Sequence, residues 1–170
     1  SQNTALGVSA LKNSTTSSSN TGVGYDALGS NTTGDRNTAI GKDALTANTT
    51  GSKNVAIGEN ALMSNTTADD NTAVGVGALD ANTTGSSNTA LGRNALTDST
   101  TASNNTAVGL SAMLSNTTGT QNVAVGANAL DAVTTSSNNV AIGYDALTNS
   151  TAANNTAVGN RCMDTNTTGS

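Results

Sequence analysis

Few side chains in this chain are able to do chemistry. It has 170 residues, no histidine, one cysteine (Cys162), eleven Asp and Glu, and six Lys and Arg. Nucleophilic catalysis needs a nucleophile beside a base, general acid–base work needs ionisable groups held together, and a structural zinc site needs a set of Cys and His ligands. Scattered carboxylates and one thiol assemble none of these. The sequence therefore points to no catalytic residue, no metal, no cofactor and no enzyme. Asp26, Asp43 and Asp145 come nearest to a site, because they share one position of an internal repeat and the first two would stack as neighbours able to hold a cation. A solvated turn explains them more simply, since the Gly- and Asp-rich nonapeptide of calcium-binding β-rolls is absent. Tyr25 and Tyr144 are the aromatic candidates for surface contact.

Composition narrows the classes further. Apolar residues make up 34% of the chain, with Phe, Trp, Pro and His absent, so a large conventional core is not expected. Disordered chains of low hydrophobicity are typically charged, but only 10% of these residues are charged and the net charge is −5. What remains is a structure held by many small contacts and backbone hydrogen bonds. The six basic residues are scattered, which argues against a nucleic-acid partner. No apolar run is long enough for membrane insertion, and no signal peptide lies within these residues. The lone cysteine excludes an internal disulfide.

The elements that must position these residues are repeats. Ten units start at Asn3, Asn20, Asn37, Asn54, Asn71, Asn88, Asn105, Asn122, Asn139 and Asn155, with a period of seventeen residues and one residue fewer in the ninth unit. Their consensus is N-[TV]-A-[ILV]-G-x-x-A-[LM]-x-x-[NS]-T-T-[GAS]-x-x. The first and fifth positions are Asn and Gly in every unit, and the thirteenth is Thr in every unit. Positions six, seven, ten, sixteen and seventeen vary, which predicts that they face solvent.

Seventeen residues is too short for the helix pairs of α repeats, and the β-branched, Gly- and Asn-rich content is poor helix material. The pattern predicts an all-β chain, a parallel β-solenoid (β-roll) of ten coils of about 17 residues, about 48 Å long at about 4.8 Å per coil. Residues 1–170 then form one repeat domain, a fragment of a longer fibrous protein. "TAIG" and "DALT" read as the main strands, "NTTGSK" as a third short strand or arc, and Gly41 as a turn with φ > 0.

Each constant column predicts a structural role. Asn20, Asn37, Asn54, Asn71, Asn88, Asn105 and Asn122 are expected to form a polar ladder, and Thr32, Thr49, Thr66, Thr83, Thr100 and Thr117 a second. The Leu column, from Leu11 to Leu147 with Met113 and Met163, is the expected apolar spine. N-T-T triplets such as Asn31-Thr32-Thr33 fit the N-glycosylation pattern, but a ladder explains them without a glycan. Cys162 replaces a buried Ala and reads as a small core residue.

The first strand is restricted on both faces. Side chains alternate along a strand, so Ala39 faces one way while Thr38 and Ile40 face the other. A face open to water should vary among the copies, yet this one stays Thr or Val and then Ile, Leu or Val. One Ile, one Leu and two Ala per coil also bury little against the entropy of ordering seventeen residues. Both points predict a second chain against this face, with Thr38, Ile40, Val55, Ile57, Thr72, Val74, Val123 and Val125 at a homo-oligomer interface.

Repeated "NVAIG", "NTAIG" and "NTAVG" at fixed period resemble the head domains of trimeric autotransporter adhesins, the YadA-like left-handed β-roll. With "ALxxNTTG" between them they also resemble repeats of bacteriophage tail fibres and bacterial surface fibres. The resemblance covers Asn3 to Gly169. It implies a left-handed roll assembled as a parallel homotrimer, extracellular, on a cell surface or a virion tail fibre. In that setting the outer turns contact a host surface, matrix or glycan ligand. No stalk, anchor or neck motif is visible. An ice-binding solenoid is the alternative, presenting Thr and Asn ladders at the coil spacing. Against it, adjacent threonines such as Thr49 and Thr50 point to opposite faces, leaving one outward Thr per coil instead of a T-x-T pair. A passive spacer is the third reading.

Overall fold

A computed structural model describes residues 2–166. Each repeat contributes one three-residue strand, from β1 (Thr4–Leu6), β2 (Thr21–Val23), β3 (Thr38–Ile40), β4 (Val55–Ile57) and β5 (Thr72–Val74) to β6 (Thr89–Leu91), β7 (Thr106–Val108), β8 (Val123–Val125), β9 (Val140–Ile142) and β10 (Thr156–Val158). The strands form one parallel sheet in sequence order. Register follows the repeat, with Thr38 opposite Val55, Ala39 opposite Ala56 and Ile40 opposite Ile57. The short ninth unit keeps it, since Val140 pairs with Thr156. The chain is thus an all-β parallel β-solenoid.

The rest of each coil also stacks on its neighbour through the backbone, without forming strands. The Leu45 amide donates to the Ala61 carbonyl at 3.0 Å, Ala47 to Met63 at 3.1 Å and Thr49 to Thr66 at 2.9 Å. The second strand expected at "DALT" is therefore a turn. Asp43 and Leu45 sit in the left-handed region at φ 56° and 51°, and their equivalents recur there coil after coil. The "NTTGSK" segment forms bends and no strand. Gly41 does take a positive φ, 141°.

Inside the coil lie the third-, eighth- and ninth-position side chains. Ala39, Ala44 and Leu45, and their counterparts through most of the chain, are fully buried. Leucine in a left-handed turn is uncommon and costs about 1–2 kcal/mol. Its burial returns about 1.5–3 kcal/mol. Cys162 is half-buried against this core, in the place of an Ala. The described part of the Leu column runs buried from Leu11 to Leu147, while Met163 in the last coil is exposed.

Candidate functional site

The first-position asparagines from Asn20 to Asn122 are buried and bonded in two directions. Asn37 Oδ1 accepts from the Asn54 amide of the next coil at 2.9 Å, while its Nδ2 donates to the Gly51 carbonyl of its own coil at 2.8 Å. One bond stacks coils and the other closes a coil. The same pair recurs at Asn20, Asn54, Asn71, Asn88, Asn105 and Asn122. The threonine column bonds through the main chain: Thr32, Thr49, Thr66, Thr83, Thr100 and Thr117 each donate Oγ1–H to the carbonyl of the equivalent residue one coil on, at 3.0–3.3 Å.

Two further ladders complete the coil, the first at the asparagines of the N-T-T triplets, where a ladder was expected, and the second at a position expected only to face solvent. At the twelfth position Asn48 Nδ2 donates to Asn31 Oδ1 at 2.8 Å and to the Gly51 carbonyl at 2.9 Å, and Asn65 and Asn82 repeat the arrangement. Position sixteen, predicted to face solvent freely, supplies a side-chain oxygen to the backbone of the preceding coil. Asp35 Oδ1 accepts from the Ser18 amide at 2.6 Å, and Ser103 Oγ from the Ser86 amide at 3.0 Å. The signal was present: this position holds only Ser, Asp or Thr in the first eight units.

The twelfth-position asparagines are also those of the N-T-T triplets. Asn31, Asn48, Asn65, Asn82 and Asn116 are fully buried, so the nitrogen a glycan would join lies inside the folded coil. Position fourteen is different. Thr84, Thr101 and Thr118 are exposed, and the residues after them, Gly85, Ala102 and Gly119, are buried. Ser86, Ser103 and Thr120 beyond are again partly exposed. An exposed hydroxyl residue at position fourteen and a partly exposed one at position sixteen thus flank one buried residue, while of the adjacent threonines one, as at Thr50, is exposed and the other, as at Thr49, is half-buried.

The outer face of the sheet is open in the single chain. Thr38, Val55, Thr72 and Val123 are half-buried, as is Val74, whereas Ile40, Ile57 and Val125 are 39%, 37% and 36% exposed. Leu91 and Ile142 continue the row. Within the single chain the strand is covered on one side, by its own coil, and the other side is the one expected to meet a second chain. Eight candidate interface residues share this face in register, forming an aliphatic stripe along the sheet.

The charged candidates do not converge. Asp26 bonds Lys12 at 2.7 Å, and this ammonium is the main reason its carboxyl is held below the usual range. Asp43 lies 3.4 Å from Lys42, and Asp145 lies 3.9 Å from Arg161. Each has its own cationic neighbour. Asp80 and Asp131 are raised above the ordinary aspartate value by burial, each with one oxygen out of reach of any donor. Tyr25 and Tyr144 are exposed at the same repeat position, seven coils apart, and form no common site. Among the described residues no group of His, Cys, Asp and Glu suits a metal, and no pocket opens. What this surface can do chemically is make extended contact. No family model, curated protein or solved structure matches the chain.

Proposed function

We propose that the chain is a segment of an extracellular fibre, a rod and display surface that self-associates as a homotrimer and serves cell adhesion or phage host attachment. The observation that carries this reading is the exposed aliphatic stripe of the sheet. Residues of this size, repeated in register along a rod, form a contiguous apolar surface of the kind that marks an interaction site. Thr at the second position of seven rungs presents a methyl and a hydroxyl to a partner, and Val at Val55, Val123 and Val140 presents two methyls. The outer turns, with Tyr25 and Tyr144, are left to meet a host surface, matrix or glycan.

Sedimentation tests it. The wild-type chain is expected as a trimer at micromolar concentration, and Ile57→Lys together with Leu91→Lys is expected to yield monomers with an unchanged β-type circular dichroism spectrum. A wild-type chain that stays monomeric at high concentration sinks the reading.

One observation favours a second reading, an ice-binding solenoid. From Thr84 to Asn138 the fourteenth, sixteenth and seventeenth positions are uncharged, and they present paired ranks of hydroxyls at the coil spacing of about 4.8 Å. This is close to the repeat of oxygen rows in hexagonal ice. Thermal hysteresis in the wild type, lost in Thr101→Lys and Thr118→Lys, supports ice binding. Its absence at millimolar protein eliminates it. A rod that neither associates nor binds ice or glycan is a spacer.

A further inference from the structure

We propose that the twelfth-position ladder binds one water molecule at Ser99, and that this water stands in for a carboxamide missing from the row. Three successive rungs show what the row requires. Asn48, Asn65 and Asn82 each use Nδ2 twice, once to the preceding Oδ1 at 2.8–3.0 Å and once to the carbonyl three residues on at 2.9–3.2 Å. In the next coil the residue is Ser99, too short to reach the Oδ1 below it. Asn82 Oδ1 and Ser99 Oγ are left without partners, although both residues are fully buried. On the far side, Asn116 Nδ2 keeps its bond to the Gly119 carbonyl at 3.0 Å, and the bond its predecessors make to the preceding side chain has no counterpart.

Buried polar atoms without partners cost free energy, and a site with two to four such partners and room for one molecule takes up water. Asn exceeds Ser by a carboxamide's carbon and nitrogen, a volume comparable to the ~30 Å³ that a water molecule occupies in the liquid. Water also matches the missing group in chemistry. It donates to Asn82 Oδ1 as the amide nitrogen would and exchanges a bond with Ser99 Oγ. These are two partners from adjacent coils.

The other interruptions of this column lack that combination. Ser14 Oγ accepts from Asn3 Nδ2 at 3.2 Å and shares a proton with Ser17 Oγ at 2.6 Å, so it is already satisfied. Ser150 Oγ donates to the Ala152 carbonyl at 3.4 Å. Val133 fills its rung with apolar carbons and leaves only Asn116 Oδ1 orphaned, which makes that rung dry. The inference is independent of the fibre and ice readings.

A crystal structure of the wild-type chain at a resolution that shows ordered water is the test. A density peak within hydrogen-bond distance of Asn82 Oδ1 and Ser99 Oγ, with none at Val133, is expected. Thermal melts give a second readout. Ser99→Asn closes the ladder directly and is expected to raise Tm by about 2–4 °C, whereas Ser99→Val copies the dry rung and lowers it by a similar amount. A wild-type map with a dry rung at Ser99, or a Ser99→Val chain as stable as wild type, overturns the proposal.

Discussion

An asparagine side chain carries donor protons and an acceptor oxygen on a short stem, and this chain uses both ends at its first repeat position. Asn71 Oδ1 accepts the Asn88 amide at 2.9 Å and its Nδ2 donates to the Gly85 carbonyl at 2.9 Å. Asn71→Ala therefore orphans the buried Asn88 amide at about 1–3 kcal/mol and removes one of the two bonds to the Gly85 carbonyl, which keeps the one from Asn82 Nδ2, and urea denaturation is expected to record a loss of about 2–4 kcal/mol. Asp80 behaves in the opposite sense. Burial raises its carboxyl above the value it has unfolded, so between the two values the folded chain binds more protons and stability falls as pH rises. Asp80→Asn is expected to raise Tm at pH 7, with the gain shrinking as pH falls toward the unfolded aspartate value; a gain that stays constant with pH contradicts this. Asn71 was legible from the sequence because its column never varies. The twelfth column was less legible, since Ser99 and Val133 interrupt it. The sixteenth was hidden because Ser, Asp and Thr differ in charge and size while sharing the one oxygen that matters.

At the scale of the element, a seventeen-residue coil has three strand residues and fourteen others that stack without becoming strand. The strand expected at "DALT" is replaced by a turn with two left-handed residues, Asp43 and Leu45. In Asp43-Ala44-Leu45 the turn directs Ala44 and Leu45 together into the core, which a strand forbids for adjacent residues. Glycine at the fifth position is required for a different reason. At Gly58 φ is +134°, and a Cβ there would lie 2.5 Å from the Gly75 carbonyl oxygen of the next coil. Gly58→Ala must push adjacent coils away from each other as well as strain the backbone, and a loss of at least about 3 kcal/mol is expected in chemical denaturation. A loss below about 1 kcal/mol would show that adjacent coils yield at this point.

Across the whole molecule, each coil touches only its neighbours, so stability should accumulate nearly coil by coil. Deleting residues 71–87 removes one unit and joins Asp70 to Asn88 in the native register. The shortened chain is expected to keep its β-type spectrum, with a denaturant m-value lower by about a tenth, because m follows the surface exposed on unfolding. Collapse of the fold would mean that the unit holds contacts beyond its neighbours. The ninth unit shows what a break in period does: Asn139 Nδ2 is buried without an acceptor, because the missing residue shifts the carbonyl that other coils place there. The self-association expected of Ile57 and its row is also a property of this scale, as no single coil offers enough apolar surface to hold a partner.

What the sequence determined by itself was the periodic frame: ten coils, an all-β solenoid, a leucine spine, an asparagine ladder and a glycine at each corner. Stacking identical units makes every contact recur at a fixed offset, so repetition in the sequence is repetition in space. Tertiary structure alone decided which face of each residue meets which neighbour. It turned "DALT" from strand to turn, buried the asparagines of the N-T-T triplets, and put position sixteen to work as an acceptor. These outcomes depend on φ at single residues and on the reach of single side chains, which a column of letters does not record.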